Sequence, residues 1–160
     1  MIGRRRCEAC GEGELREGTE TISVALPRCG VVASIAAPAL RCRGCGAALV
    51  TKPVRARALL AVGRELADRG VHTGEALRHM RKALGLRAAD LARLLDVTPE
   101  TVSHWETGRA LPGRAAFVAV AAMVNEALDG RTSTRDRLAA LADGRGYPRA
   151  LALTLRKRGR

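Results

Sequence analysis

A five-residue phrase is written twice in the N-terminal third of this chain, as C-E-A-C-G beginning at Cys7 and as C-R-G-C-G beginning at Cys42. Two redox pairs, two disulfides or one metal site can each be spelled in this way. A redox pair calls for a low-pKa thiol in a βαβ setting, and nothing around Cys7 or Cys42 has that pattern. Disulfides belong to oxidising compartments. The opening M-I-G-R-R-R-C is basic but runs into glycine and acid, with no signal-peptide hydrophobic region, and no apolar run approaches the ~18 residues of a membrane helix. A cytoplasmic location, reduced thiols and no membrane partner are therefore expected. Four thiolates in a tetrahedron make a structural zinc site, and C-x2-C lets one tight turn supply two of them. Cys7, Cys10, Cys42 and Cys45 are the expected ligands of one Zn2+. All four positions are filled by protein, which leaves no open one for catalysis. Gly11 and Gly46 follow each pair because a knuckle that curls its amides toward sulfur can require positive φ. Cys29 is left over and reads as a core or turn cysteine.

Residues 1–52 also hold two stretches with strand character. Residues 19–26 (T-E-T-I-S-V-A-L) alternate, and residues 30–35 are valine-rich, with Pro27 and Gly30 bracketing the turn. A hairpin between two cysteine knuckles is expected, a segment too small and aromatic-poor to be stable without a staple. Residues 53–74 form a connecting helix over 54–69, with Ala58, Leu59, Val62 and Leu66 on one stripe that needs a partner. Residues 75–143 read as five short helices: 75–84, 88–95, one running to about 107, 114–128, and one following Thr132 and Ser133. The third is capped by Thr98 with Pro99 at its first position and closed by Gly108. The expected fold class is α+β, mostly α: a small four-cysteine zinc-binding β-hairpin domain followed by an all-α domain.

The net charge is +12, and residues 144–160 hold six Lys/Arg and no acid. A polyanion is the expected partner, nucleic acid being the commonest. The helical region carries the most specific signal. In L-R-H-M-R-K-A-L-G-L-R-A-A-D-L-A-R-L-L-D-V-T-P-E-T-V-S-H-W-E-T-G-R-A-L-P, residues 77–112, one apolar face is spaced by Leu77, Met80 and Leu84. A second is spaced by Leu91, Ala92 and Leu95, and a third by Val102 and Trp105. Trp105 reads as core, and His72 and His79 as solvated surface residues.

This stretch resembles the Xre/Cro-type helix-turn-helix of phage repressors and bacterial regulators. With the cysteine pairs, the whole chain resembles the MqsA-type architecture, a YgiT-type zinc-finger domain followed by an Xre-type DNA-binding domain. The resemblance implies that the third helix of the domain lies in the major groove of double-stranded DNA, presenting Pro99, Glu100, Thr101, Ser103 and His104. It implies phosphate contacts near Arg87 and Ala88 and at Arg109, and a buried ion pair between Arg81 and Glu106. Two positions depart from the family: Ala88 stands where Gln is common, and His104 where Arg or Lys is.

Three functions compete. The first is a zinc-stabilised transcriptional regulator, expected to be a repressor. The second is an antitoxin that binds a toxin through the zinc domain and controls its own operon. The third is a nucleic-acid enzyme, for which the sequence offers no nucleophile–base pair and no open metal site. The helix at 114–128 is apolar nearly all round, so Val118 and Met123 are expected to lie in a homodimer interface. The basic tail is expected to be an arm on phosphate, with a docked strand at Leu151, Leu153 and Leu155 or a solvated terminus as alternatives.

Overall fold

The computed structural model describes residues 6–11 and 13–144. Two strands, β1 (Leu15–Leu26) and β2 (Val31–Cys42), form an antiparallel ladder from Leu15 opposite Cys42 to Leu26 opposite Val31. A 3-10 turn, Pro27–Cys29, closes the tip. A two-residue strand, β3 (Ala48–Leu49), pairs with Leu40 and Arg41 of β2. Both long strands exceed the stretches marked by alternation. The missing part of β2, A-A-P-A-L, has little β-branching and contains Pro38. Proline is tolerated there because β3 reaches only Leu40 and Arg41, so no ladder on the outer edge is broken. Alternation sets the buried face: Ile22, Leu26, Ala37 and Ala39 turn inward, while Thr21, Ser23, Ser34 and Ala36 face solvent.

That inner face rests on α1 (Lys52–Asp68), which starts from Thr51 with Pro53 in its first turn. Ala58 packs with Ile22 and Ala37 of the hairpin. Val62 and Leu66 continue into a larger core shared with the helices that follow, so the stripe on α1 is covered by β2 on one side and by helices on the other. The remaining helices are α2 (Gly74–Ala83), α3 (Ala88–Leu94), α4 (Pro99–Thr107), α5 (Arg114–Leu128) and α6 (Ser133–Ala142). Leu77, Met80, Leu91, Val102, Val120 and Val124 are fully buried at the centre of this core. The protein is thus α+β and mostly α. The basic tail, residues 144–160, lies outside the described residues apart from Gly144.

Two expectations are corrected. Met123 is 3 % exposed and belongs to the chain's own core, whereas Val118 is 65 % exposed. Helix α5 packs against α1, α2 and α6, and these consume more of its apolar circumference than its sequence reveals. The two histidines are anchored rather than solvated. His72 Nε2 lies 2.8 Å from the Pro112 carbonyl and its ring meets Phe117 edge-on, and His79 Nε2 lies 2.9 Å from the Leu59 carbonyl.

Candidate metal centre and nucleic-acid interface

The hairpin ladder brings the two cysteine turns together, since Leu15 follows the first and Cys42 begins the second. The turns are alike: Gly11 N–H donates to the Cys7 carbonyl (2.7 Å) and Gly46 N–H to the Cys42 carbonyl (3.0 Å). Both glycines adopt positive φ, +76° and +73°. The thiol sulfurs of Cys7, Cys10, Cys42 and Cys45 all lie within 4.8 Å of one another, and none of the five cysteines is in a disulfide. Two pairs between the turns stand at 3.8 Å (Cys7 to Cys45) and 3.7 Å (Cys10 to Cys42). A tetrahedron with metal–sulfur bonds of about 2.3 Å has edges of about 3.8 Å, so the four residues fit a metal ion in a closed site.

The electrostatics favour the same conclusion. The amides of Cys45 and Gly44 point at the Cys42 sulfur and hold its thiol below the ordinary thiol range. The Ala47 amide acts likewise on Cys45, but the crowding sulfurs of Cys42, Cys10 and Cys7 push that thiol up to about 11. Four sulfurs this close resist collecting four negative charges unless a cation sits among them. One necessary residue escapes the cysteine pattern. A Cβ on Gly13 would stand 1.9 Å from the Cys42 sulfur and 3.3 Å from that of Cys10, so no larger residue fits there. Its only signal in the sequence is a second glycine two positions after Gly11.

At the other end, α2, α3 and α4 form the helix-turn-helix. Thr98 accepts from the Thr101 amide at 3.2 Å and Pro99 opens α4, which Gly108 closes at φ +78°. The turn before it places Asp96 at φ +53°, and the Val97 amide returns to the Ala92 carbonyl. Helix α4 is two-sided. Val102, Trp105 and Glu106 are buried, while Pro99, Glu100, Ser103 and His104 are exposed and Thr101 is half-buried beside its cap. Glu100 is held ionised below the usual carboxylate range by its own helix-end amide and the Thr98 hydroxyl. Arg109, exposed just past α4, has no ion-pair partner among the described residues.

Arg81 and Glu106 form a buried two-pronged ion pair, each residue 8 % exposed. Arg81 Nε meets Oε1 and Nη2 meets Oε2 at 2.8 Å, with Nη1 donating to the Leu86 carbonyl at 2.7 Å. This clamps α2 to α4 and to the α2–α3 turn. At the start of α3 the arrangement is less open than the sequence suggests. Asp90 accepts from the Arg87 amide and takes the Arg87 guanidinium in two bonds of 2.9 Å, which holds its carboxyl at about 2. Ala88 is half-buried and packs against the helical core.

A contact that no local pattern announces joins the two ends. The Glu75 carboxylate accepts from the backbone amides of Arg28 (2.8 Å) and Cys29 (3.1 Å) at the hairpin tip. Arg28 Nη1 donates to the Glu106 carbonyl at 3.2 Å, and Leu26 is 2 % exposed beneath them. Gly74, next to Glu75, is obligatory, since a Cβ there would lie 1.6 Å from the Trp105 carbonyl oxygen.

Among the described residues no helix is long and apolar enough to cross a membrane. No curated protein matches the chain. Residues 72–155, more than half of the chain, match the helix-turn-helix domain family, and with α2, α3 and α4 disposed as above the protein belongs to that family of DNA-binding regulators.

Proposed function

We propose that this protein is a sequence-specific, double-stranded-DNA-binding transcriptional repressor of the bacterial cytoplasm, acting as a homodimer and stabilised by one structural zinc ion. The observation that carries the proposal is the two-sidedness of α4. Its buried side is fixed by Val102, Trp105 and the Arg81–Glu106 pair, so its exposed side offers hydrogen-bonding groups on a rigid support. A major groove admits one helix in this way. Glu100 accepts from a cytosine amino group, His104 and Ser103 reach base edges or phosphate, and Thr101 mainly holds the start of the helix while its methyl faces a base. Arg109 contacts the DNA backbone. Cys7, Cys10, Cys42 and Cys45 hold zinc, which closes the hairpin and performs no chemistry on a substrate.

One helix reads few bases, and a two-fold dimer reads two half-sites. With Met123 buried, the exposed large apolar side chains available for pairing in the helical region are Leu111 (72 % exposed), Val118 (65 %) and Leu141 (78 %). The decisive experiment is selection from random duplexes followed by footprinting. It should enrich a palindrome with half-sites about one helical turn apart. His104→Ala and Glu100→Gln should each cost about 1–3 kcal/mol and relax preference at one position per half-site. Val118→Glu should shift sedimentation toward monomer. Recovery of no common sequence, or a sequence equally well bound by the α4 variants, would overturn the reading.

A further inference from the structure

Helix α3 packs against α4 on one side and α6 on the other. In the α3–α6 seam lies an open cleft of about 500 Å³ whose rim carries three guanidinium groups, Arg87 and Arg93 from α3 and Arg135 from α6, over an apolar floor that includes Leu94 and Ala139. The same cleft holds one carboxylate, Asp90, which binds Arg87 in a fixed two-pronged geometry. Arg93 is paired at 3.3 Å with Asp143. Arg135 has no ion pair among the described residues, although its charge reaches Asp90. The lining therefore carries three positive charges and one negative charge. Arg135 also borders a second cleft, with Arg131, Leu84 and Ala83 of α2.

We infer that this cleft binds a phosphodiester of the DNA backbone flanking the bases that α4 reads, with Arg135 as its principal contact. The inference rests on the DNA-binding function proposed above and adds to it a contact from α6, outside the helix-turn-helix itself. Guanidinium forks match phosphate oxygens geometrically. The arrangement suits a duplex better than a small anion, because the side chains are at the rim: Arg87 is 83 % and Arg93 65 % exposed, within reach of a rigid polyanion. The charge of Asp90 also acts on Arg135, but both of its oxygens are occupied by the Arg87 guanidinium. Asp90 thereby fixes the Arg87 guanidinium at the cleft. Arg137 on the same helix does not line the cleft and serves as a control.

The test uses the full-length protein and its selected operator. Arg135→Ala should lower affinity several-fold for operator and random duplex alike, and should reduce the slope of log affinity against log salt by about one. Arg137→Ala should change the slope much less. Operators with a single neutral methylphosphonate, scanned along each strand, should show one position outside the α4-read bases where wild type loses affinity and the Arg135→Ala protein loses no more. Retained affinity and slope in Arg135→Ala, while His104→Ala still relaxes preference, would overturn the cleft and leave the DNA-binding function standing. If wild type bound no duplex, the function itself would fall. Replacing chloride by inorganic phosphate at equal ionic strength should weaken binding no more in wild type than in Arg135→Ala. A specific wild-type loss would mean that the cleft takes free phosphate instead.

Discussion

At its outer end the β1–β2 hairpin is closed by four sulfurs converging on one point, and at its inner end by Leu26, Glu75 and a buried helical core. The outer end has almost no apolar interior. Beyond Cys7 and Cys42 its nearest buried cluster is Ile22, Ala37 and Ala58. The inner end joins a core that includes Leu77, Met80, Leu91, Val102, Val120 and Val124. With the zinc proposed above, one end is held by coordination and backbone turns, the other by packing. Coordination concentrates stability in a few atoms that a single substitution removes, whereas packing spreads it over many contacts, each worth little. The same chain can therefore lose one end and keep the other, unless the Glu75 contacts couple them.

The largest effect is expected where the comparison is sharpest. Structural zinc contributes on the order of 10 kcal/mol to small sites, so Cys42→Ser, or chelation of the unmodified protein, should abolish hydrogen-exchange protection in the outer halves of β1 and β2. Protection in α2, α4 and α5 should persist. Elemental analysis of protein purified without chelator should give one zinc per chain. Loss of protection throughout the helices would show that the helical core cannot stand without the metal end.

The helical end has one feature that does not behave like packing. Arg81 and Glu106 are buried charges, and removing Arg81 leaves Glu106 only the longer, half-exposed pair with Arg78 at 3.9 Å. Arg81→Ala should destabilise the protein by about 3–5 kcal/mol in urea. Exchange of both partners for apolar residues of similar size should cost much less. If the single and double changes cost the same, the pair is not a desolvated unit and the helical end is held by apolar contacts alone.

How much of this was legible depended on whether a feature is local. Thr98, Pro99 and Gly108 announce α4 because capping is decided within a few residues, and the two cysteine phrases announce their own turns, and so the four-cysteine cluster, for the same reason. Features that need a distant partner were silent. Gly74 reads as an ordinary loop glycine until the Trp105 carbonyl is placed against it, and Gly13 until Cys42 is. Met123 reads as a homodimer-interface residue because the elements that cover α5 are α1, α2 and α6. The length of the strands was hidden by alanines and a proline, since their pairing is dictated by the knuckles at one end and the tip at the other. Glu75 gave no signal at all, because its partners are backbone amides on another element.

That carboxylate is the place to ask whether the two ends communicate. Hydrogen bonds to a charged acceptor are worth about 1.5–3 kcal/mol each, though partial exposure places this site at the low end. Glu75→Ala should cost about 1–2 kcal/mol. It should free the amides of Arg28 and Cys29 to exchange and loosen the Arg28 contact to the last turn of α4. Operator affinity should fall modestly while zinc stoichiometry stays at one. Unchanged exchange at Arg28 and Cys29 would mean that Leu26 alone docks the tip, and that the two ends are more independent than the contact implies.

The smallest effect separates the ends by acid. Metal binding to thiolates requires their deprotonation, so a zinc-held cysteine end should be lost early as pH falls. At the helical end the relevant group is Asp90, whose carboxyl lies at about 2 in the folded chain against an ordinary 3.8, chiefly through its hydrogen bonds from Arg87. A carboxyl with a depressed folded pKa contributes stability that is complete above its unfolded value and disappears as pH falls through the folded one. Its contribution is therefore present above about pH 4 and fades toward pH 2. Both side chains are well exposed, so screening keeps the effect slight. In Cys42→Ser protein, where metal release no longer intervenes, the Arg87 and Ala88 amide resonances should titrate in that window. Asp90→Asn should remove the titration and advance fraying of the first turn of α3 to neutral pH. A midpoint near 4 in the folded protein would mean that Arg87 is not held by Asp90 in solution, and that the start of α3 is as open to phosphate as the sequence first suggests.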